Sequence, residues 1–184
     1  MIDYKTFKKG YLHEWVDQSQ AARKAAEELA KKEVKPSLRD KYKPQNVIMT
    51  LDGKQVEFKG ENEMKSDGDI YFTYDEAKGL FGKPDKDGWR LPTKEELKAL
   101  LDDYPYEIKD GHYIFDNRLY LPAAGDRYYD GEVYGVGFYG IYWSSTPYNS
   151  DRAWYASLFR DKVKMNNISA RRSGHSVRLV RDMK

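Results

Sequence analysis

The sequence predicts an α+β fold, on three observations. Two β-rich runs, NVIMTL and KQVEFK, flank Asp52-Gly53, the dipeptide favoured in a two-residue type I′ hairpin turn. Two capping boxes, Thr73-Tyr74-Asp75-Glu76 and Thr93-Lys94-Glu95-Glu96, each open a helix. From Tyr113 onward, short apolar or aromatic runs such as LYLPAAG and YYDGEVYGVGFYG alternate with glycine, and no helix of ordinary length fits there.

Along the chain, Ser19–Val34 comes first. It is rich in Ala, Glu, Lys and Leu, so it reads as a helix that stops before Pro36. Lys35–Gln45 reads as a linker. Residues 1–45 are thus a helical extension, and residues 46–184 the main domain. After the hairpin at Asn46–Lys59 a polar loop runs to Asp69. The first capped helix is short and should end near Gly79 or Gly82. The second, entered after Pro92, carries Leu97, Leu100 and Leu101 on one face. Short strands and compact loops follow.

The segment Ile141–Asp182 has apolar ends and a polar filling. Tyr142, Trp143, Ser144 and Ser145 stand before it, and Ser176, Val177, Leu179 and Val180 after it. Between them lie Asn, Ser, Arg, Asp and Tyr, the residue types of recognition loops. In Ala153–Phe159, strand alternation puts Trp154, Ala156 and Leu158 on one face, the expected core face. Tyr155, Ser157 and Phe159 fall on the other. Trp89, Trp143 and Trp154 are expected as core pillars. Arg90, Arg127, Arg171 and Arg178 are expected to hold loops through carboxylates or carbonyls.

Composition bounds the function. The 184 residues can bury a sizeable core, and with no cysteine there is neither disulfide nor thiol chemistry. The start, MIDYKTFKKGYLHEW, has no apolar core of a signal peptide, and no apolar run is long enough for membrane insertion. Both the cytoplasm and a virion fit that reading. Residues 1–45 carry 11 basic and 7 acidic groups and residues 151–184 carry 9 and 3, so the middle holds the compensating −8. The basic end reads as a solvated face, and no nucleic-acid partner is expected. Tyrosine is abundant, at 16 residues, and Tyr often sits at surfaces with its polar tip in water.

Catalytic patterns are missing. His13, His112 and His175 lie in three unrelated contexts and make no metal set. No phosphate loop, dinucleotide glycine pattern or nucleophile elbow occurs. Ser66–Asp69 and Asp85–Gly88 could offer oxygens to a hard cation, though turn formation is the commoner role. The expectation is a non-enzymatic protein with no cofactor and no catalytic metal.

Three blocks stand in order: Gly88-Trp89-Arg90-Leu91-Pro92-Thr93 with Glu96 and Leu97; Leu121-Pro122-Ala123-Ala124-Gly125-Asp126-Arg127; and Tyr142–Thr146, Ala153-Trp154 and Gly174–Val180. Together they resemble the bacterial major paralogous domain family first named from a Fibrobacter. That resemblance implies a C-type-lectin-like fold, in the variant shared with formylglycine-generating enzymes, from Asn46 to Asp182. The calcium motifs by which animal C-type lectins select sugars, Glu-Pro-Asn and Trp-Asn-Asp, are absent.

The segment 142–178 also resembles the variable region of proteins diversified by retroelements. In such genes a reverse transcriptase rewrites template adenines and changes Asn codons into many others, but never into those for Lys, Met, Trp, Gln or Glu. The resemblance makes Tyr142–Ser145, Ala153-Trp154, Val163, Met165, Arg171, Gly174 and Ser176–Asp182 the fixed frame. Lys162 and Lys164 depart from the pattern. Display positions would be Tyr148, Asn149, Asp151 and Arg152 in a loop, then Tyr155, Ser157 and Phe159 on a strand. Asn167, Ile168, Ser169 and Ala170 would follow, and then Arg172, Ser173 and His175. The resemblance implies a receptor-like protein whose exposed face binds a protein or glycan on a cell surface. The alternative is an undiversified surface or structural module of the same fold with one fixed partner. Neither reading specifies an oligomeric state.

Overall fold

The computed structural model describes residues 44–160 and 162–183. The helix expected at Ser19–Val34, most of the link Lys35–Gln45, and His13 lie outside them. The described residues belong to one compact unit, Pro44–Lys184. Its architecture is α+β, with two helices and four small antiparallel sheets.

β1 (Val47–Leu51) and β2 (Lys54–Phe58) form the expected hairpin. Asp52 and Gly53 both take positive φ, 48° and 76°, as a type I′ turn requires. Alternation buries Met49, Leu51, Val56 and Phe58. The last strand, β11 (Val180–Asp182), pairs antiparallel with β2, with Val180 opposite Phe58.

Both capped helices form. In α1 (Tyr74–Phe81) the Thr73 hydroxyl accepts from the Glu76 amide, and Glu76 accepts from the Thr73 amide at 2.8 Å. In α2 (Lys94–Asp103) the same exchange joins Thr93 and Glu96. Glu96 also anchors Arg90, which donates to both its oxygens, at 2.8 and 2.6 Å, and reaches Asp182 as well. One carboxylate thus caps α2 and fixes the segment that bridges to β11. Leu97, Leu100 and Leu101 are buried as expected.

A meander follows: β3 (Tyr106–Lys109), β4 (His112–Phe115) and β5 (Leu119–Pro122). It begins earlier than the Tyr113 expected from sequence, because a second Asp-Gly pair, Asp110-Gly111, makes another turn with positive φ at both residues. β6 (Asp126–Arg127) and β7 (Val133–Tyr134) form a short hairpin. The third large sheet joins β8 (Tyr139–Pro147), β9 (Arg152–Phe159) and β10 (Lys162–Ala170) in the order β10-β9-β8.

That last sheet is packed on both faces. Trp154, Ala156 and Leu158 face a cluster containing Phe58, Leu100, Tyr113, Phe115 and Tyr142. The opposite face contributes Trp143 and Ala153, with Tyr155 packed on them, to a cluster of Phe72, Tyr74, Leu91, Val177 and Leu179. Trp143, Leu158, Val177 and Leu179 are fully buried, as expected. Trp154 and Trp89 are only half-buried, which corrects their reading as core pillars. Each instead carries a cation on its ring: Lys94 lies 3.5 Å from Trp154, and Arg181 4.6 Å from Trp89.

Arg178 is buried and joins three segments. Its Nε donates to the Asn62 side chain at 2.8 Å. Nη1 donates to the Lys59 and Gly60 carbonyls at 2.7 Å each, and Nη2 to Tyr120 at 3.1 Å. Arg178→Met leaves these partly buried acceptors without their common donor and is expected to destabilise the fold by at least about 3 kcal/mol. Arg178→Lys should recover part of the loss. Urea denaturation of both variants checks this, and an unchanged midpoint in Arg178→Met contradicts it.

Candidate functional site

At one end of the β9–β10 pair lies an open depression of about 640 Å³. Its walls are the loop Ser150–Arg152, the turn Ala170–Arg172, and Thr73 and Asp75 at the start of α1. Arg171 fastens these walls together. Its amide bonds the Asp151 carbonyl at 2.9 Å and its carbonyl accepts from the Tyr74 amide at 2.8 Å. Its guanidinium reaches the Ser150 carbonyl at 3.0 Å, pairs with Asp75, and lies 4.9 Å from the Tyr74 ring centre.

Arg152 and Arg172 also line the depression, and both are exposed. Among the described residues neither has a carboxylate partner. Arg172 lies over the Tyr129 ring at 4.6 Å. Asn149 shapes the loop: its side-chain oxygen accepts from the amides of Asp151 and Arg152 at 2.9 and 2.8 Å. Tyr148 is exposed and meets Trp154 edge-on at 5.4 Å. The structure therefore gathers Asp151, Arg152, Ala170 and Arg172 around one rim, with Tyr148 and Asn149 in the adjoining loop.

The other expected display positions do not converge there. Strand register puts directly opposed residues on one face. Asn167 opposes Tyr155 and Ser169 opposes Ala153, whereas Ile168 opposes Trp154 and Ala170 opposes Arg152. The run Asn167–Ala170 is thus split between the two faces of the sheet. Tyr155 is only partly accessible because it packs edge-on against Trp143, 6.4 Å between ring centres. Ser157 is half-buried, and Phe159 is exposed at the far end beside Tyr139.

Ser173 and His175 are a correction: they retain only 3% and 2% exposure. The reason is the close approach at Gly174. Its amide and carbonyl pair with those of Arg127 at 2.8 Å. A Cβ there would sit 3.0 Å from the Cβ atoms of both Arg127 and Tyr71. That contact presses the Ser173–Ser176 segment into the interior.

His175 lies in a knot of polar groups. Its ring is 4.1 Å from Trp143 and 5.3 Å from Tyr155, centre to centre. Nδ1 is 3.9 Å from an Asp126 carboxylate oxygen. Neither ring nitrogen makes a hydrogen bond of ordinary geometry, and burial pulls its pKa down to about 3, opposed only by the Gly174 backbone. Burial also raises the Asp126 carboxyl, although the Tyr139 hydroxyl donates to it at 2.7 Å. Burial, and then the Asp126 charge, raise the Tyr139 and Tyr155 phenols.

Residues that sequence reasoning left outside the site are Thr73, Asp75, Ser150 and Tyr129. Arg171 belongs to the expected frame, and it is frame and wall at once. Tyr128 and Tyr129 are exposed on the β6–β7 hairpin. Arg127 holds that hairpin by a bidentate pair with Asp69, at 2.6 and 3.0 Å. Among the described residues no cluster of His, Asp and Glu could hold a metal ion. The acidic stretches serve as turns: Asp67 accepts from the Asp69 amide, and Asp85 from those of Asp87 and Trp89.

Residues 57–181, more than half of the chain, match the family model of the Lcl C-terminal domain. The chain belongs to that family. All three sequence blocks fall inside the match, which supports the family expectation drawn from them. No match was found among curated proteins or solved structures.

The rim and the knot of this Lcl C-terminal domain should respond differently to substitution. Tyr148→Ala and Arg172→Ala are each expected to shift stability by no more than about 0.5 kcal/mol, as exposed sites usually do. His175→Arg forces a longer side chain and a permanent charge into a packed, buried site, and should cost several times more, about 3 kcal/mol or above. Thermal unfolding checks the contrast; equal shifts at both sites would contradict it.

Proposed function

We propose that this Lcl C-terminal domain is a non-enzymatic ligand-binding module on a C-type-lectin-like scaffold. It recognises a protein or glycan on a cell surface through the rim around Arg152 and Arg172. The observation that carries this reading is the contrast among three arginines at one depression. Arg171 is consumed in holding the walls, while Arg152 and Arg172 are exposed without carboxylate partners among the described residues. Tyr148, Tyr129 and Asn149 border them, a mixture of aromatic anchors and polar groups suited to recognition. The C-type-lectin-like assignment is supported by the β11–β2 pairing, which returns the chain's end to the first hairpin. It is also supported by α2, which packs against β1, β8, β9 and β10.

The non-enzymatic reading rests on the chemistry of the lining. Guanidinium groups do not exchange protons near neutral pH, and one of the two carboxylates, Asp75, is paired with Arg171. Among the described residues no histidine lines the depression. What remains can attract and orient a partner but supplies no acid–base pair.

Retroelement diversification belongs to this proposal at the rim only. The burial of Ser173 and His175 favours the second reading, an undiversified module with one fixed partner, for the turn behind it. Amplicon sequencing of codons 142–178 from a population grown from one cell separates the two. Substitutions at codons 148–152 and 172 with Trp143 and Trp154 constant support diversification; a uniform sequence supports the fixed module.

Binding is tested on panels of immobilised glycans and purified cell-surface proteins. The Arg152→Ala, Arg172→Ala double variant should lose about 2 kcal/mol of binding, roughly thirtyfold in Kd, while remaining folded. Binding of the unaltered protein should weaken with added salt. A bound partner indifferent to both changes would overturn the rim assignment.

A further inference from the structure

The recognition proposed for the rim makes no use of the buried knot around His175. We propose that His175 is an acid-operated latch: it holds the Asp126–Tyr134 hairpin against the β8–β9 sheet at neutral pH and releases it on taking up a proton. The latch needs no ligand.

The hairpin is fastened where His175 sits. Arg127 and Gly174 exchange two backbone hydrogen bonds, and the Gly125 amide donates to the Tyr139 carbonyl at 2.7 Å. His175 itself exchanges backbone bonds with Phe72. Its ring is walled by Trp143 of β8, Tyr155 of β9 and Asp126 of β6. The other ionisable groups around the knot are Tyr139, Tyr71 and Arg127. Tyr139 donates to Asp126, Tyr71 donates to the Ala124 carbonyl at 2.5 Å, and Arg127 is turned to Asp69. None accepts a hydrogen bond from the His175 ring.

A proton on this ring therefore creates a buried cation with unsatisfied donors. Asp126 offers charge but not geometry. Its oxygen stands 3.9 Å from Nδ1, and the carboxylate already accepts from Tyr139. Opening the hairpin exposes the ring and lets water solvate the charge.

The sign follows from linkage. Burial lowers His175 from 6.5 to about 3, so the closed form excludes the proton. Its stability is complete above about pH 6.5 and falls as pH drops, the opening constant rising roughly tenfold per pH unit. Asp126 acts oppositely. Burial raises its carboxyl, so the closed form regains stability as pH falls through that raised value toward 3.8. The latch therefore works between 6.5 and the Asp126 titration.

Hydrogen exchange at the Arg127 and Gly174 amides, corrected for intrinsic rates, reads the latch. Protection should drop roughly thirtyfold between about pH 8 and about pH 5, while the β1–β2 hairpin keeps its own. His175→Phe should abolish the pH difference. If that variant fails to fold, His175→Gln and an NMR titration of the His175 ring in the unaltered protein decide instead. Asp126→Asn should extend the loss to lower pH. Three results would overturn the proposal: a ring that titrates at or above 6.5, a hairpin better protected in acid, or equal loss of protection throughout the domain.

Discussion

Arg178 carries its charge in the interior without a carboxylate within ion-pair distance among the described residues, and much of the domain is arranged around that fact. Burial lowers its pKa only to about 10, so it stays charged at neutral pH. A buried cation is costly unless polar groups replace its lost water. Here the replacement comes from the carbonyls of Lys59, Gly60 and Tyr120 and the amide oxygen of Asn62. The network continues, since Asn62 also donates to the Tyr142 hydroxyl, which donates to the Pro122 carbonyl at 2.7 Å. The loop after β2, the strand β5, β8 and the C-terminal segment therefore satisfy one another's polar groups. Removing one member strands the rest, so such a network specifies one arrangement.

The β10-β9-β8 sheet inherits a constraint from this arrangement. With one face on the α2 and β2 cluster and part of the other on Phe72, Tyr74 and Leu179, little of it remains free. A half-buried sheet would offer every second residue to solvent. Here the second face opens only toward its end, where Ser157 and Phe159 oppose Lys164 and Lys162. The proposed recognition falls to the loops at the other end of the strands. They acquire a fixed shape from Arg171 and Asn149.

How legible this was in the sequence depended on the range of each interaction. The Asp52-Gly53 turn, the two capping boxes and the leucine face of α2 are local patterns whose causes lie within a few residues. The alternation at Trp154–Leu158 identified one buried face correctly. It was silent on the other, because the residues that cover Tyr155 come from β8 and from the segment near position 175. Ser173 and His175 are polar, and composition placed them outside. Their burial follows from the Gly174 contact with Arg127 and Tyr71, two regions distant in sequence. Arg171 was legible as a loop holder, but its partner Asp75 was not, since nothing local joins them. A glycine fixed by close approach is the one sequence signal that could have warned of the burial.

The distribution of satisfied backbone groups gives the rim more tolerance of substitution than the knot. Around the depression the main chain is already supported. Asn149 takes the amides of Asp151 and Arg152, the amides of Tyr148 and Asn149 reach the Arg152 carbonyl, and Arg171 takes the carbonyls of Ser150 and Asp151. Side chains at 151, 152 and 172 are therefore free of structural duties there, and changing them leaves no buried group unpaired. The knot carries more of the burden. Among the described residues, Arg171 Nε is the one buried side-chain atom without a partner in the walls of the depression, whereas His175 and Ser176 contribute three, and the knot is closed by large rings and a buried carboxylate. A position with unsatisfied atoms has little tolerance left, because each further mismatch adds a full desolvation cost. Asn149 sits on the boundary, since its side chain builds the turn that presents its neighbours. The physical test for a display position is therefore stricter than exposure: its own side chain must not be what satisfies the backbone beneath it.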